Sequence, residues 1–397
     1  MRKGLIIWVL LLTVYHSMAQ QNVRMFRTTG ALPYMEYGLG DDRLGGAKMG
    51  YLDSNVLVKV TDSVNGDYVV RLSRQHYAYM PKSSVKPADE VKPRDYYLSS
   101  SIKVYGDSAY DYVSINLDEK LPYRAQQVMN PTGIDVDLFG ITSNTNWITQ
   151  LSSVKEITNT WYEQIEDDVL RIHIQLKAGQ HWGHSIYYDT LSRKMYIRVK
   201  RKPPADVKKW KIAIDAGHGG TNSGAAGVNT KVLEKDYTLL MAKELEKAFK
   251  KSGMKQVFMT RTKDTTLSME ERILMLRQAQ PDILLSIHLN SSSVDTVKGT
   301  STFYRYIGFR PLTQYILRNM VSLGLKEFGN VGSFNFALSG PTEYPNCLVE
   351  VAFLSNPEDE KKIVDPRFHK NMALKIVKGV KEFAASVQSG SPTAKGK

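Results

Sequence analysis

Two histidines and two glutamates in the second half of the chain are the residues that metal-assisted hydrolysis needs: His218, Glu234, His288 and Glu350. His218 lies in Ile214-Asp215-Ala216-Gly217-His218-Gly219-Gly220, directly after a short apolar run. Glu234 opens an amphipathic helical stretch, and His288 lies in Leu285-Ser286-Ile287-His288-Leu289-Asn290 after a second apolar run. Glu350 stands inside Leu348-Val349-Glu350-Val351-Ala352-Phe353, a stretch whose composition calls for burial. Two imidazoles and one carboxylate suit a catalytic Zn2+ that keeps a coordination position open for water, and a further carboxylate can move the proton.

Each residue also has a plainer reading. Glycines around His218 permit a tight turn at the carboxyl edge of a sheet, where α/β sites lie, but a Gly-rich loop can also cradle phosphate or hold an ordinary loop histidine. The P-loop lysine and the dinucleotide fingerprint are both missing from this stretch. Glu234 alone is a first-turn acid favoured by the helix dipole. His288 alone is a buried neutral histidine. Glu350 carries the sharper argument, because an ionised carboxylate in an apolar strand costs several kcal/mol unless it is paired, metal-associated or protonated. An ion pair with Arg261 or Arg305 is the alternative to a catalytic role.

The elements that must position these residues follow from the hydrophobic periods. Residues 208–388 alternate between strand and helix patterns. Ile212-Ala213-Ile214, Val257–Thr260, Ile283–Leu289 and Cys347–Phe353 read as strands, the last two apolar enough for a sheet covered on both faces. Residues 234–252 read as a helix with Leu239, Leu240 and Leu245 on its apolar side and Gly253 as its stop. Ser268 and Glu271 predict a capping box. Thr300–Tyr306 reads as a strand, Pro311–Phe328 as a helix, and a closing helix spans about 368–387.

Two β modules precede this α/β part. In residues 21–88, Asn65-Gly66 separates two strand-length alternations, a strong hairpin signal. In residues 97–202, Ile134, Val136 and Leu138 alternate with Asp135 and Asp137, and Ile172, Ile174 and Leu176 with Arg171, His173 and Gln175. Period two predicts an antiparallel sandwich with one face of each strand in water. His173, His181 and His184 are expected to be surface and turn histidines. The fold class is therefore multidomain: a small β module, a β-sandwich, and an α/β domain with a mixed sheet flanked by helices.

Bulk properties place the chain outside the cytosol. Arg2 and Lys3, the apolar run Gly4–Val14 and the small residues Ser17 and Ala19 form a secretory signal over residues 1–19. About 11 apolar residues are too few to span a bilayer of roughly 30 Å, so no transmembrane segment is expected after cleavage. The single cysteine, Cys347, excludes an intramolecular disulfide, and none stands directly after the cleavage site to carry a lipid anchor. The formal charge of +13 falls to +11 without Arg2 and Lys3. On an exported chain that charge points to anionic envelope polymers rather than nucleic acid. The Lys200-Arg201-Lys202 and Lys208-Lys209 runs around Pro203-Pro204 read as a linker, and residues 389–397 as a disordered tail.

With these residues in view, the stretch 210–388 resembles the zinc-dependent N-acetylmuramoyl-L-alanine amidases of the type-3 amidase family. Five motifs occur in family order: Ile214–Gly220, Glu234-Lys235-Asp236, Thr260-Arg261-Thr262, Ser286–Asn290 and Leu348–Pro357. The resemblance implies His218, Glu234 and His288 as zinc ligands, Glu350 as the catalytic carboxylate, Asn290 as a substrate contact, and peptidoglycan as the substrate. It implies cleavage of the lactyl amide to L-alanine in the periplasm or cell envelope. Residues 21–88 resemble an SH3-like barrel, and 97–202 the AMIN-like targeting sandwiches that precede such amidases. Division-type members carry a plug helix between the second histidine and the glutamate. Here 62 residues separate His288 from Glu350, and the expected strand and helix nearly fill them, so no such plug is expected. Control then rests elsewhere, an envelope activator protein being one partner left open. Ala216 replaces a frequent Pro, and Asn330–Pro345, which should shape the substrate groove, matches poorly.

Two readings compete. A Cys-dependent wall peptidase would use Cys347 with His369, but a reactive thiol wants a helix N-terminus or a cation beside it, whereas Cys347 begins an apolar strand. A non-catalytic wall-binding regulator would ordinarily have lost one of the four site residues, and all four are present.

Overall fold

The computed structural model describes residues 23–40 and 45–389. The expected signal, residues 1–19, and the expected tail beyond Ser389 lie outside them. Residues 24–87 form a seven-stranded sheet in which every pairing is antiparallel. Its hairpin joins Leu57–Val64 to Asp67–Arg71 through Asn65, which takes φ +52°, a conformation Asn tolerates better than most residues.

Residues 97–200 form two further sheets packed through one core. One is four-stranded and antiparallel; the other contains Tyr97–Gly106, Tyr110–Leu117, Met195–Lys200 and His184–Tyr188. The expectation of a purely antiparallel sandwich needs correction, because the short strands Ile141–Ser143 and Ile148–Gln150 pair parallel to Tyr97–Gly106. Ile134, Val136 and Leu138 are buried as the alternation requires. Asp137, expected in water, is also buried, and it accepts from Arg171 and Arg124 at 2.6 Å each. Those two guanidiniums outweigh the burial that would raise its carboxyl and hold it below the usual range.

The α/β part comprises β1 (Ile212–Ala216), α1 (Glu234–Lys251), β2 (Val257–Met259), α2 (Met269–Ala279), β3 (Ile283–Asn290), β4 (Thr300–Phe303), α3 (Arg310–Val321), β5 (Glu327–Val331), β6 (Asn346–Phe353), α4 (Pro357–Ile363) and α5 (Pro366–Gln388). The sheet order is β2-β1-β3-β6-β4-β5, parallel except for the β4–β6 pair, so the sheet is mixed. Helices α1, α3 and α5 pack together on it.

Local rules explain most boundaries. Ser268 caps α2 reciprocally with Glu271, at 3.1 and 2.7 Å. Helix α1 ends at Lys251 with Ser252 as its C-cap, before Gly253 at φ +88°. Its buried stripe is Met241, Ala242, Leu245, Ala248 and Phe249, and Leu240, expected inside, is exposed. The expected helix over Pro311–Phe328 stops at Val321, and Glu327–Val331 is instead the edge strand β5. Gly324, at φ +75°, breaks the helix there. Among the described residues no helix is long and apolar enough to cross a membrane.

Candidate metal centre

β1 and β3 are parallel neighbours, so the chain leaves both at the same edge of the sheet. His218 follows β1 by two residues and His288 lies two residues before the end of β3. Glu234 is the first residue of α1, which brings the chain back to that edge. The ligand-capable atoms of His218, Glu234 and His288 all lie within 4.8 Å of one another. His218 Nε2 is 3.0 Å and His288 Nδ1 is 3.1 Å from the same Glu234 oxygen, Oε1. Glu350 sits on β6 directly beside His288 in the β3–β6 register.

Backbone geometry makes room for this convergence. A Cβ on Gly217 would lie 2.4 Å from His288 Cε1, so only glycine admits that ring. Gly224, at φ +67°, would set a Cβ 2.7 Å from the Glu234 Cβ and 2.8 Å from the His218 ring.

A second layer orients the three side chains. His218 Nδ1 is 2.9 Å from Asn222 Oδ1; an N–H there leaves Nε2 with its lone pair directed at the centre. Glu234 Oε2 accepts from the Ala225 amide at 2.9 Å and Oε1 from the Leu289 amide at 3.0 Å. Burial alone would raise the Glu234 carboxyl, but the neighbouring His218 and His288 rings outweigh it and hold it well below the ordinary range. It is therefore an anion at neutral pH.

Below the centre, fully buried Asp215 accepts from Arg272 Nη1 at 2.5 Å, Thr260 at 2.7 Å and Ser286 at 2.7 Å. Arg272 also donates to the carbonyls of Ala216 and His218. Arg261 donates to the carbonyls of Ala216, Gly217 and Lys235. Two guanidiniums thus pin the turn that carries His218. The loop between His218 and Glu234 is fastened further along by Glu360, which accepts from Asn229 and Thr230. Sequence reading missed Asn222, Arg272 and Glu360. Asp215 and Arg261 lay inside quoted motifs, but the partners named above are 26 or more positions away.

The loop before β6 supplies a wall that sequence reading did not assign. Phe336 meets His288 edge-on, with ring centroids 5.4 Å apart. Its neighbour Asn335 donates to the carbonyls of Gly45 and Gly46 and accepts from the Lys48 amide at 3.3 Å. The first β module therefore holds the loop that shields one side of the centre. Between His288 and Glu350 the chain forms β4, the 3-10 turn Ile307–Phe309, α3, β5 and the 3-10 turn Ala337–Ser339.

The donor set fits a divalent metal ion. Two imidazoles and a carboxylate match a borderline-soft cation, and the fit shows in the convergence of His218 Nε2 and His288 Nδ1 on Glu234 Oε1 at 3.0 and 3.1 Å.

Residues 212–382 match the family model described as N-acetylmuramoyl-L-alanine amidase. This C-terminal part is an amidase domain. Over 208 residues the chain is 35% identical to the probable cell wall amidase LytH of Staphylococcus aureus, covering 52% of this chain and 66% of that relative. The match thus spans just under two thirds of the curated relative's length. Among solved structures, the catalytic domain of CwlV, an N-acetylmuramoyl-L-alanine amidase from Bacillus (Paenibacillus) polymyxa var. colistinus, is 31% identical. That comparison covers 44% of this chain and 97% of the other, with a TM-score of 0.42. The N-acetylmuramoyl-L-alanine amidase from Clostridium difficile 630 is 32% identical, over 45% and 97% of the two chains, with a TM-score of 0.42.

The remaining expected residues divide. Asn290 ends β3 in the amidase domain, where its Oδ1 accepts from the Ser291 amide at 2.8 Å. Cys347 is buried, and burial pushes its thiol up, the opposite of what a nucleophile needs. His369 bonds the Ile363 carbonyl at 2.6 Å. In the sandwich, His173 bonds Asp135 and stacks on Trp161. His181 and His184, expected at the surface, are buried and driven neutral, at about 4 and about 3.

Proposed function

We propose that the chain is an exported zinc-dependent peptidoglycan hydrolase, which cleaves the amide between N-acetylmuramic acid and the L-alanine of the stem peptide. Residues 21–88 then act as an SH3-like module, 97–202 as an AMIN-like sandwich and 208–388 as the catalytic domain. The observation that carries the reading is the register pair His288–Glu350 beside the His218–Glu234–His288 cluster, within the residues that match the amidase family.

In this reading His218, Glu234 and His288 hold the metal. A bound Zn2+ supplies Lewis acidity, making water a stronger nucleophile near neutral pH and polarising the scissile carbonyl. The chain's own residues do the rest. Glu350 takes the proton from the attacking water and returns it to the departing amine of L-alanine, a general acid–base role worth roughly 10²–10⁴-fold. Glu234 stays ionised and contributes the site's negative charge. Asn222 holds the tautomer of His218, and Phe336 excludes water from one side of His288.

The deciding measurement pairs metal analysis with mass spectrometry of digested muropeptides. Wild type should contain one zinc per chain and release intact stem peptides from glycan strands. Glu350→Gln should keep its metal and lose turnover; unchanged turnover would remove Glu350 as the base. Activity that survives EDTA yet is lost to iodoacetamide would transfer the reaction to Cys347.

A further inference from the structure

One outer face of the sandwich is built differently from the rest of the molecule. Tyr105, Tyr110, Tyr112, Tyr187 and Tyr196 lie half-buried around Arg198 on adjacent strands. Tyr105 stacks on Tyr112 with centroids 5.2 Å apart, and Tyr187 on Tyr196 at 5.4 Å. The Arg198 guanidinium lies 4.5 Å from the Tyr110 ring centre and 5.9 Å from that of Tyr187, and its Nε donates to Ser185 Oγ at 3.1 Å.

Tyr110, Tyr187 and Arg198 of this face line a cavity of about 250 Å³ at the meeting point of all three parts of the chain. Its walls include Tyr51 and Asp53 from the first module, Tyr187 and Arg198 from the sandwich, and Arg277 and Tyr344 from the amidase domain. The volume falls just under the roughly 300–1,000 Å³ common for small-molecule sites. The other cations on its walls are taken: Lys200 pairs with Asp282 at 2.9 Å, Arg277 with Glu343 at 2.7 Å and Arg124 with Asp137 at 2.6 Å. Arg198 has no carboxylate within ion-pair distance among the described residues. The walls also present buried polar atoms without partners, the Tyr344 hydroxyl and both His184 ring nitrogens.

An unneutralised guanidinium framed by aromatic faces recognises an anion carried on a ring whose own faces are apolar. Unpartnered donors and acceptors alongside favour hydroxyl and amide substituents. We propose that this cavity binds a carboxylated amino sugar of the N-acetylmuramic acid type, with Arg198 on the carboxylate and Tyr110 and Tyr187 against the pyranose. The choice of sugar rests on the proposed function: hydrolysis of the lactyl amide adds water across the C–N bond and leaves a free lactyl carboxylate on the glycan. The site therefore takes the glycan product and keeps the enzyme on a strand it has already trimmed.

Calorimetric titration of the full protein, carrying Glu350→Gln to silence turnover, tests this directly. N-acetylmuramic acid should bind saturably, and N-acetylglucosamine, which lacks the carboxylate, at least about tenfold more weakly. Arg198→Gln should bring the two sugars to equal affinity, and Tyr187→Ala should weaken both, each with an unchanged melting temperature. If Arg198→Gln lowers the melting temperature, Tyr187→Ala decides. No binding, equal binding of the two sugars by the parent protein, tighter binding of N-acetylglucosamine 6-phosphate, or affinity indifferent to both substitutions would each overturn the assignment. Failure of the amidase reading would appear separately, as no stem-peptide release by the wild type.

Discussion

Phe336 stands at 84° to His288, edge against face, at a centroid separation of 5.4 Å, and the loop bearing it is anchored to a module some 290 residues earlier in the chain. Such an aromatic pair contributes about 0.5–1.5 kcal/mol beyond the area it buries. Phe336→Ala should therefore speed zinc loss to a chelator roughly two- to tenfold, while the fold is kept. Asn335→Ala, which frees the loop and leaves the ring, should give a smaller acceleration. Identical chelation kinetics in both variants and wild type would show that the loop does not guard the metal.

Asn222 reaches the expected ligand His218 through Nδ1, the ring nitrogen turned away from the centre. Partners that orient a metal-bound imidazole typically change metal affinity by about 10–100-fold when removed. Asn222→Ala should lower zinc affinity by that factor with little change in thermal stability of the apo protein. Competition against a fluorescent zinc indicator reads the affinity, and an unaltered value would refute the orienting role.

Arg272 and Asp215 are a buried ion pair, each side chain 1% exposed. Removing one partner of such a pair leaves the other charge uncompensated, at a cost of about 3–5 kcal/mol. Arg272→Met should lower unfolding free energy by that amount in a urea titration. Arg272→Lys should not rescue it, because a single ammonium cannot reproduce the guanidinium bonds to Asp215, Ala216 and His218 together. A loss under about 1 kcal/mol would mean that the pair is neutral to folding.

The same carboxyl sets an acid limit. Burial would raise Asp215, but the Arg272 charge, with the Thr260 and His288 contributions next, holds it below its ordinary value. Because the folded pKa is depressed, its stabilisation is present above the unfolded value near 3.9 and is lost as pH falls through the folded value. The stability gap between wild type and Asp215→Asn should be constant from about pH 7 down to about 5 and shrink below about 4. A gap that widened on acidification would contradict the sign of the shift.

Periodicity and caps made much of the amidase domain legible before any coordinates. Strand β3 is apolar at five of its eight positions and buried at seven because helices cover both faces of the sheet, and Ser268 with Glu271 marked the start of α2 from four residues alone. Glu350 drew attention for a physical reason as well, since an acid inside an apolar strand needs an explanation. The helix expected over Pro311–Phe328 ran too long, because an apolar stretch near Gly324 reads equally as helix or as edge strand until its neighbours are known.

The sequence by itself determined which residues can do chemistry and which elements carry them: His218 just past a strand, Glu234 at a helix start, His288 and Glu350 within apolar strands. Tertiary structure alone decided what surrounds them. It placed Arg272 and Arg261 under the His218 turn, turned His181 and His184 inward, and brought Asn335 to Lys48 and Phe336 to His288. The reason is range. Hydrophobic period and capping are local and survive in a linear string, whereas a hydrogen bond across 287 positions exists only once the three parts of the chain have packed.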